Sequence, residues 1–263
     1  MSAITKQVYL VKYGEEVSLT SLFQEVLEMD INPIEFQITD KVRDIVLRFP
    51  KAADYFRQRK IDFCCGGNRP ITESAEESGV PVELLLEDLN RMLAEHPHTG
   101  GEEGWLQASS ADLVEHIVGK HHRYLREELP EIQKYVTKVS RVHGEIDPHL
   151  LEVARLFGEL RRELLAHSDK EEAEVFPKML NWDAGREPEV LEKLQGAIAD
   201  LESEHDGAGN ILKQLRELTG DFQPPAHACT TYRLTYARLE ELEGMTFTHV
   251  HLENNVLFPR YTE

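Results

Sequence analysis

Apolar residues recur every three or four positions along four long stretches of the chain, residues 110–139, 148–180, 187–219 and 227–258. This spacing gives each stretch one apolar face, as in an α-helix that packs against a core. Proline stands at or between the ends of the stretches, at Pro148, Pro188 and the pair Pro224–Pro225. Four helices of comparable length with short connections predict an antiparallel four-helix bundle.

Shorter helical patterns precede the predicted bundle. Apolar residues at helical spacing begin near Thr39, and Gly79 and Pro81 separate two later helices. The stretch from His96 to Gly104 is polar and rich in glycine, which is typical of a linker. The chain is long enough for two domains.

We therefore expect an all-α protein in which a small helical N-terminal domain is followed by the bundle. The predicted parts are an N-terminal extension at 1–37, the small helical domain at 38–96, a linker at 97–106 and the bundle at 107–263. The extension carries one amphipathic pattern, from about Ser18 to Met29, and no chemistry that its residues assign.

Polar residues interrupt the apolar stripes of the bundle at matching places. His122 and His205 each occupy a stripe position in the first and third helices. In the second and fourth helices an H-x-x-x-E pair is followed by Phe-Pro at identical spacing. The two copies are His167, Glu171, Phe176 and Pro177, and His249, Glu253, Phe258 and Pro259.

The stripes thus bring four imidazoles and two carboxylates into one core. A lone histidine on an apolar face is usually a satisfied core residue, and an H-x-x-x-E pair is usually a surface pair. All six residues lie on the apolar stripes of the four helices, and this coincidence argues against both explanations. Buried carboxylates are costly unless they are paired or bound to a cation, and residues four apart share one helix face.

A dinuclear metal site resolves this cost, with two imidazoles on each metal ion and the carboxylates placed to bridge. Imidazole and carboxylate ligands without thiolates favour iron or manganese over structural zinc. His121 is the rival of His122, because a shift of one residue in the helical phase exchanges them.

The motif DFCCGG at 62–67 holds the adjacent Cys64 and Cys65. Neighbouring Cα atoms lie about 3.8 Å apart, which is too close for an ordinary disulfide, and the pair lacks the C-x-x-C spacing of a metal site. Nearby basic residues predict a local positive potential that favours a thiolate, and Asp62 opposes it. We expect the cysteines to act as a thiol relay or a docking element; the alternative is a buried turn with inert thiols.

Composition excludes several function classes. The chain has 48 acidic and 29 basic residues and a formal net charge of -19. This charge disfavours nucleic acid and anionic membranes as partners. Three cysteines, two of them adjacent, fit a reducing compartment. With no secretory signal or long apolar run, we expect a cytoplasmic protein.

Together these motifs resemble the iron–sulfur cluster repair di-iron proteins, also called Repair of Iron Centres proteins. In that family a hemerythrin-like four-helix bundle follows a small helical domain with a D-[FY]-C-C-G-G signature. The resemblance runs from about Thr39 to the end. It rests on DFCCGG at 62–67, HHRYLREELP at 121–130, HSDKEEAEVFP at 167–177, ESEHDGAGN at 202–210, ACTTY at 228–232 and HVHLENNVLFP at 249–259.

The resemblance implies two non-haem iron ions with an oxo or hydroxo bridge, bridged also by Glu171 and Glu253. The implied terminal ligands are His122, His167, His205 and His249, which favours His122 over His121. Residues 1–37 precede the family's usual beginning.

The resemblance also implies repair of iron–sulfur clusters damaged by nitric oxide or oxidants, by supplying iron, with nitric oxide reduction at the iron pair as a further activity. The implied partners are damaged iron–sulfur proteins, with nitric oxide or dioxygen as small ligands, and both a monomer and a homodimer fit the sequence. The alternative function is a hemerythrin-like dioxygen or nitric oxide carrier or a redox sensor. Classical dioxygen carriers of this fold are richer in histidine ligands and lack the CCGG domain.

Overall fold

The computed structural model of the protein describes residues 9–12, 15–18, 35–96 and 103–262. By spatial contacts the chain divides into two units, Met1–Gln37 and Ile38–Glu263. The first unit contains an antiparallel hairpin of strands β1 (Tyr9–Lys12) and β2 (Glu15–Ser18), with Tyr9 opposite Ser18. This hairpin was not predicted. The amphipathic helix expected from about Ser18 to Met29 lies, beyond Ser18, outside the described residues.

The second unit begins with four short helices. They are α1 (Val42–Arg48), α2 (Lys51–Gln58), α3 (Ile71–Ser78) and α4 (Val82–Glu95). A proline directly precedes each of the last three. Proline suits a helix start, because its fixed φ is close to the helical value and its missing N–H would have no intrahelical acceptor there. The CCGG motif occupies the loop between α2 and α3.

The remaining helices build the bundle. They are α5 (Glu103–Gln107), α6 (Ser110–His116), α7 (Arg123–His143), α8 (His149–Lys170), α9 (Phe176–Gly185), α10 (Pro188–Leu218), α11 (Thr230–Leu252) and α12 (Pro259–Thr262). Three π-helical turns join them in pairs: Ile117–His122 joins α6 to α7, Glu171–Val175 joins α8 to α9, and Glu253–Leu257 joins α11 to α12.

The observed helices confirm the predicted all-α class for the described part of the second unit. With the π-helical turns included, the bundle has four long rods at 110–143, 149–185, 188–218 and 230–262, close to the four predicted stretches. Helix α5 overlaps the predicted linker at 103–106, and residues 97–102 lie outside the described residues. The boundaries proposed from the sequence between the small domain, the linker and the bundle stay predictions. Within the described ranges no helix is long and apolar enough to cross a membrane.

Two apolar clusters fill the bundle and leave a polar layer between them. The first contains Leu125 and Leu164, and the second contains Val175 and Leu201. Along every rod the six polar stripe residues fall between members of the two clusters. The hydrophobic core therefore closes the polar layer from both ends.

A buried ion network fixes helix α2 against the bundle. Arg216 on α10 donates from Nε to Glu243 Oε1 on α11 at 2.8 Å, and Arg57 Nη1 lies 3.5 Å from Glu243 Oε2. The Glu243 side chain is 2 % exposed, and its carboxylate raises the pKa of Arg216. Buried charges such as these depend on one another, because each supplies the compensation that water would otherwise give.

Replacing Glu243 with alanine should therefore lower the free energy of unfolding by about 3 kcal/mol, because Arg57 and Arg216 then lose the one buried carboxylate that they share and keep only the more exposed Asp54, Glu240 and Asp221 as partners. Urea unfolding followed by circular dichroism measures the change. The control is Glu240→Ala on the same helix, where the carboxylate is 43 % exposed and 3.6 Å from Arg57 Nη1. This control should cost less than about 0.5 kcal/mol, and equal losses in the two variants would contradict the role given to Glu243.

Candidate metal centre

Two carboxylates occupy the centre of the polar layer. Glu171 and Glu253 are both 0 % exposed. Among the described residues, none donates a hydrogen bond to either oxygen of Glu171 or to Oε2 of Glu253. Imidazole nitrogens lie 3.1–3.3 Å from these three oxygens. An ionised carboxylate in such a place costs several kcal/mol unless cations surround it. The core therefore requires positive charge at this layer.

Four histidine rings converge on these carboxylates in two groups. His122 and His249 form one group with both glutamates, and His167 and His205 form the other with the same two glutamates. In each group one ligand atom per residue lies within 4.8 Å of all the others. The two groups share both carboxylates, which is an arrangement suited to two metal ions.

Hydrogen bonds on the outer side of the rings determine which nitrogen faces the centre. His122 Nδ1 lies 2.7 Å from Glu172 Oε1, and His167 Nδ1 lies 2.7 Å from Glu204 Oε2. His205 Nδ1 lies 2.8 Å from Asn254 Oδ1. All three partners are acceptors, so Nδ1 carries the proton and the lone pair of Nε2 points inward.

The inward nitrogens lie very close together. Nε2 of His167 and of His205 are 2.9 Å apart, and those of His122 and His249 are 3.2 Å apart. Two neutral rings that face each other through Nε2 lone pairs repel, and a cation held between the two nitrogens, either a proton or a metal ion, removes that repulsion. The residues therefore fit a pair of metal ions on two independent grounds, the unpartnered carboxylate oxygens and the facing nitrogens.

The carboxylates also shift the pKa values of the rings. Burial acts to lower the pKa of His122 and of His167, but the surrounding carboxylates, of which Glu171 contributes most, together outweigh it in both. The pKa of His122 is raised, and that of His167 is raised to about 9. Burial acts to raise the pKa of Glu253, but His249 and His205 lower it well below its usual range. The shifts report a strong negative potential at the centre, which attracts metal cations as well as protons.

The repeated Phe-Pro accounts for two of the π-helical turns. Pro177 and Pro259 have no N–H for an i to i−4 bond, and their rings clash with the carbonyl four residues back. The backbone widens just before each proline, as in the 2.8 Å bond from Phe258 N to Glu253 O across five residues. Each turn begins at a central glutamate, Glu171 or Glu253. Single π-helical turns are frequent at functional sites.

The repeated phenylalanines pack on histidines of other helices. Phe176 stacks on His122 with ring centroids 5.9 Å apart, and Phe258 stacks on His205 at 5.9 Å. The phenylalanine covers one face of each imidazole and holds the plane of the imidazole in position. The ring nitrogens remain exposed to the centre along the edge of the imidazole. The H-x-x-x-E and Phe-Pro parts of the repeat thus act together.

A cavity of about 450 Å³ reaches the second group of ligands from outside. His167, His205 and His249 lie in its wall together with Lys170 and Glu204, and the rest of the lining is mostly apolar or small, with Glu163 as a further acidic residue. A small molecule can therefore approach one side of the centre without displacing a helix.

His121, the rival of His122, is also buried but faces another way. Its ring stacks on His249 with centroids 5.3 Å apart and planes 14° apart. Neither ring nitrogen has a hydrogen-bond partner in the part of the chain that the structure describes, and burial lowers its pKa to about 2. His122, in contrast, has Nε2 3.2 Å from Glu171 Oε2. The geometry places His122 in the first group and His121 behind His249.

Sequence reasoning missed the outer partners Glu172, Glu204 and Asn254. A signal was present, because each is adjacent in sequence to a residue of the central layer: Glu171, His205 and Glu253, respectively. Adjacency alone does not show that a side chain reaches a ring on a neighbouring helix. Only the packing of the rods shows that contact.

The CCGG loop folds around the carboxylate of Asp62. Its Oδ1 accepts the backbone N–H of Cys64 and of Cys65 at 3.0 Å, and its Oδ2 accepts that of Gly66 at 2.9 Å. The Cys64 thiol lies 3.3 Å from Oδ1. Contact with the Cys65 thiol, burial and Asp62 together raise the pKa of Cys64 well above its usual value.

The Cys65 thiol, burial and Asp62 thus raise the pKa of Cys64 and oppose the thiolate that the nearby basic residues were expected to favour. The basic residues near it in sequence point at other acids. Arg57 faces Glu243, Arg59 faces Asp88, Lys60 faces Asp221 and Arg69 faces Glu77. Their charges are committed to carboxylates outside the loop, while Asp62 is the acid that touches the thiol.

The loop packs directly on the last π-helical turn of the bundle. Asn255 Nδ2 donates to the Cys64 carbonyl oxygen at 2.9 Å, and His251 Nδ1 donates to the Phe63 carbonyl oxygen at 3.1 Å. The Phe63 ring meets the His251 ring edge on, at 5.7 Å between centroids. Cys64 and Cys65 thus belong to a loop that adjoins the metal centre, although neither sulfur is in the two ligand groups.

The second glycine of the motif allows this close approach. A Cβ on Gly67 would overlap the Phe63 carbonyl oxygen and lie 3.1 Å from Asn255 Oδ1. A Cβ on Gly66 would lie 2.6 Å from Arg69 Nη2, the end of a flexible side chain. The two adjacent glycines therefore differ in what a methyl group would displace.

Gly67→Ala should lower the free energy of unfolding by about 1–3 kcal/mol, because backbone atoms of the loop must move. Gly66→Ala should cost less than about 1 kcal/mol, since Arg69 can turn away. Thermal unfolding of the two variants compares them directly. Equal losses of unfolding free energy in the two variants would show that the close packing of Gly67 against the loop and the bundle does not limit stability.

Comparisons with known proteins agree with this geometry. Residues 112–261 match the hemerythrin HHE cation-binding domain family. Residues 38–93 match the ScdA_N family, which is described as a domain of unknown function.

Whole-chain relatives combine the same two parts. The iron-sulfur cluster repair protein ScdA of Staphylococcus haemolyticus is 38 % identical over 221 residues, which are 84 % of this chain and 97 % of the relative. The iron-sulfur cluster repair protein YtfE of Escherichia coli O8 is 36 % identical over 217 residues, which are 82 % of this chain and 94 % of the relative. With both domains matched and aligned over most of its length, the chain belongs to the ScdA/YtfE family of iron–sulfur cluster repair proteins.

Proposed function

We propose that this chain holds two iron ions in the bundle core and repairs iron–sulfur clusters damaged by nitrosative or oxidative stress by donating iron. The observation that supports the metal pair is the burial of Glu171 and Glu253 between two pairs of inward imidazole nitrogens. The relatives named above are iron–sulfur cluster repair proteins, which supports damaged iron–sulfur proteins as the clients.

In this proposal His122 and His249 would hold one iron ion and His167 and His205 would hold the other, with Glu171 and Glu253, which belong to both groups, available to each. Imidazole and carboxylate donors bind ferrous iron with intermediate affinity in the divalent series, and no thiolate is in either group to favour zinc. A site of intermediate affinity suits a protein that gives its metal away. When bound, the iron pair would supply redox electrons and open coordination positions for nitric oxide.

The protein's own residues support that role in three ways. The outer acceptors Glu172, Glu204 and Asn254 hold three rings with Nε2 inward. The apolar clusters exclude bulk water from either end of the layer. The cavity beside His167 and His205 gives small ligands such as nitric oxide or dioxygen a path to the centre. The same path supports nitric oxide reduction as a further activity.

The cysteine pair has an accessory role in this proposal. Contacts of Asn254 and Asn255 with the CCGG loop, on the turn that also carries Glu253, support a role of Cys64 and Cys65 near the centre. We assign them to a thiol relay, or to docking of a client, during the transfer of iron.

Purified wild-type protein should contain two iron ions per chain, and Glu171→Ala or Glu253→Ala should reduce this to one or none, because each carboxylate serves both ions. Metal analysis by mass spectrometry measures the content. Glu174→Ala is the matched control, since Glu174 lies in the same π-helical turn but is exposed and faces Lys178. Wild type without iron, or glutamate variants that keep a full pair, would contradict the site.

Iron-loaded protein should restore a nitric oxide-damaged iron–sulfur enzyme faster than the same amount of free ferrous iron under reducing conditions. The variant with Cys64→Ser and Cys65→Ser should keep two iron ions but lose most of this transfer, and Cys229→Ser, at an exposed cysteine outside the loop, should behave as wild type. Enzyme activity recovered over time is the measurement. Loss of iron from the double serine variant would show that the cysteines bind metal. A reversible dioxygen adduct without any repair would favour a carrier.

A further inference from the structure

The outer partners of the histidines are themselves held from outside. Glu172 accepts from Arg126 Nη1 at 2.7 Å, and Glu204 accepts from Lys170 Nζ at 2.8 Å. These contacts form two chains of the same kind, each running from a fixed cation through a carboxylate to a ring. Side chains that support metal ligands in this way determine ring orientation and basicity.

A third series of hydrogen bonds, behind His205, differs from the other two at both outer positions. Asn254 replaces the carboxylate behind His205, and its Nδ2 lies 3.9 Å from the Sγ of Cys65. Since the amide oxygen accepts from His205, the NH₂ group of Asn254 must point away from the ring and towards the sulfur. A thiol of the CCGG loop thus occupies the position that a cation occupies in the other two chains.

Cys65 is suited to this position because its surroundings hold it there. The backbone of the loop is fixed by Asp62 on one side and by Asn255 on the other. Cys64 points its thiol at Asp62, which leaves Cys65, the less buried of the two, facing Asn254. Unlike Arg126 or Lys170, a cysteine can change its chemical state.

We propose that Asn254 is a positioning residue through which the Cys65 sulfur controls how firmly His205 holds its metal ion. This inference rests on the proposed function. While the sulfur accepts from the Asn254 amide, the amide oxygen stays on His205 and the ring stays in place. When the sulfur becomes a ligand of a client's iron, the S–H bond breaks and its proton passes to water, while the new sulfur–iron bond replaces a bond from that iron to a water ligand, which leaves. Asn254 then loses its outer contact, and the His205 side of the centre is the first to loosen.

This coupling would join the two tasks of the molecule. Engagement of the CCGG loop by a damaged cluster would weaken iron retention at the moment when iron is needed. In the absence of a client, the same contact keeps the centre closed. The regulated ion is the one held by His167 and His205, which also line the cavity that leads outward.

A double-mutant cycle tests the coupling directly. The variants are Cys65→Ala, Asn254→Leu and the double variant, each loaded with iron, and the measurement is the rate of iron loss to a coloured chelator. Cys65→Ala should speed the loss about threefold, and Asn254→Leu about tenfold, the lower end of the usual effect of removing such a partner. In the Asn254→Leu background, Cys65→Ala should change the rate by less than about 1.5-fold, because the connecting amide is gone.

Cys229→Ala is the matched control, since it removes the exposed thiol that is not part of the loop. Cys229→Ala should leave the rate of iron loss unchanged, both in the wild-type protein and in Asn254→Leu. Circular dichroism and metal content, compared at the start, separate altered retention from misfolding. An equal effect of Cys65→Ala with and without Asn254, or no effect in the wild-type background, would overturn the inference.

A second readout does not depend on iron. The alkylation rate of Cys65, measured by mass spectrometry against Cys229 in the same sample, should change at least twofold in Asn254→Leu. If the ratio of the Cys65 to the Cys229 alkylation rate is unchanged, the inference is overturned. This result counts even if Asn254→Leu fails to retain metal. If the wild type binds two iron ions but the effects of Cys65→Ala and Asn254→Leu are independent, only the proposed coupling is refuted. If the wild type binds no iron, the proposed function is refuted as well.

Discussion

The carboxylates of Glu171 and Glu253 lie in the bundle core with no solvent exposure, and most of their oxygens accept no hydrogen bond. Removing two such charges from water costs several kcal/mol each unless positive charge replaces the lost hydration. Four imidazoles from four rods supply the surroundings for that charge, and apolar clusters close the layer at both ends. The bundle is therefore held at its middle by charge compensation, which apolar packing alone does not provide.

The outer contacts connect the rods in a ring. The first rod's His122 is held by Glu172 of the second, the second rod's His167 by Glu204 of the third, and the third rod's His205 by Asn254 of the fourth. His121 of the first rod stacks on His249 of the fourth and completes the ring by an aromatic contact. Each supporting residue is adjacent in sequence to a residue of the central layer. The axial position of a rod therefore determines whether its supporting residue reaches the imidazole of the neighbouring rod.

The last π-helical turn serves two surfaces at once. Glu253 points into the core, Asn254 reaches His205, and Asn255 holds the CCGG loop. Consecutive residues of a helical turn face different directions, so one short segment contacts the metal layer and the small domain together. The buried network around Glu243 adds a second attachment of α2 to the bundle. The thiol loop is consequently part of the environment of the centre.

The sequence by itself determined the four-helix bundle and the six central residues, because helical periodicity places inward positions without knowledge of the partners. It also left His121 and His122 as alternatives, since periodicity fixes a helical phase only to about one residue. Only the tertiary structure decided between them, identified Glu172, Glu204 and Asn254 behind the rings, and turned the basic residues near Cys64 towards other acids. These features depend on contacts between residues far apart in sequence, on hydrogen-bond directions and on burial, and local spacing carries no information about such contacts.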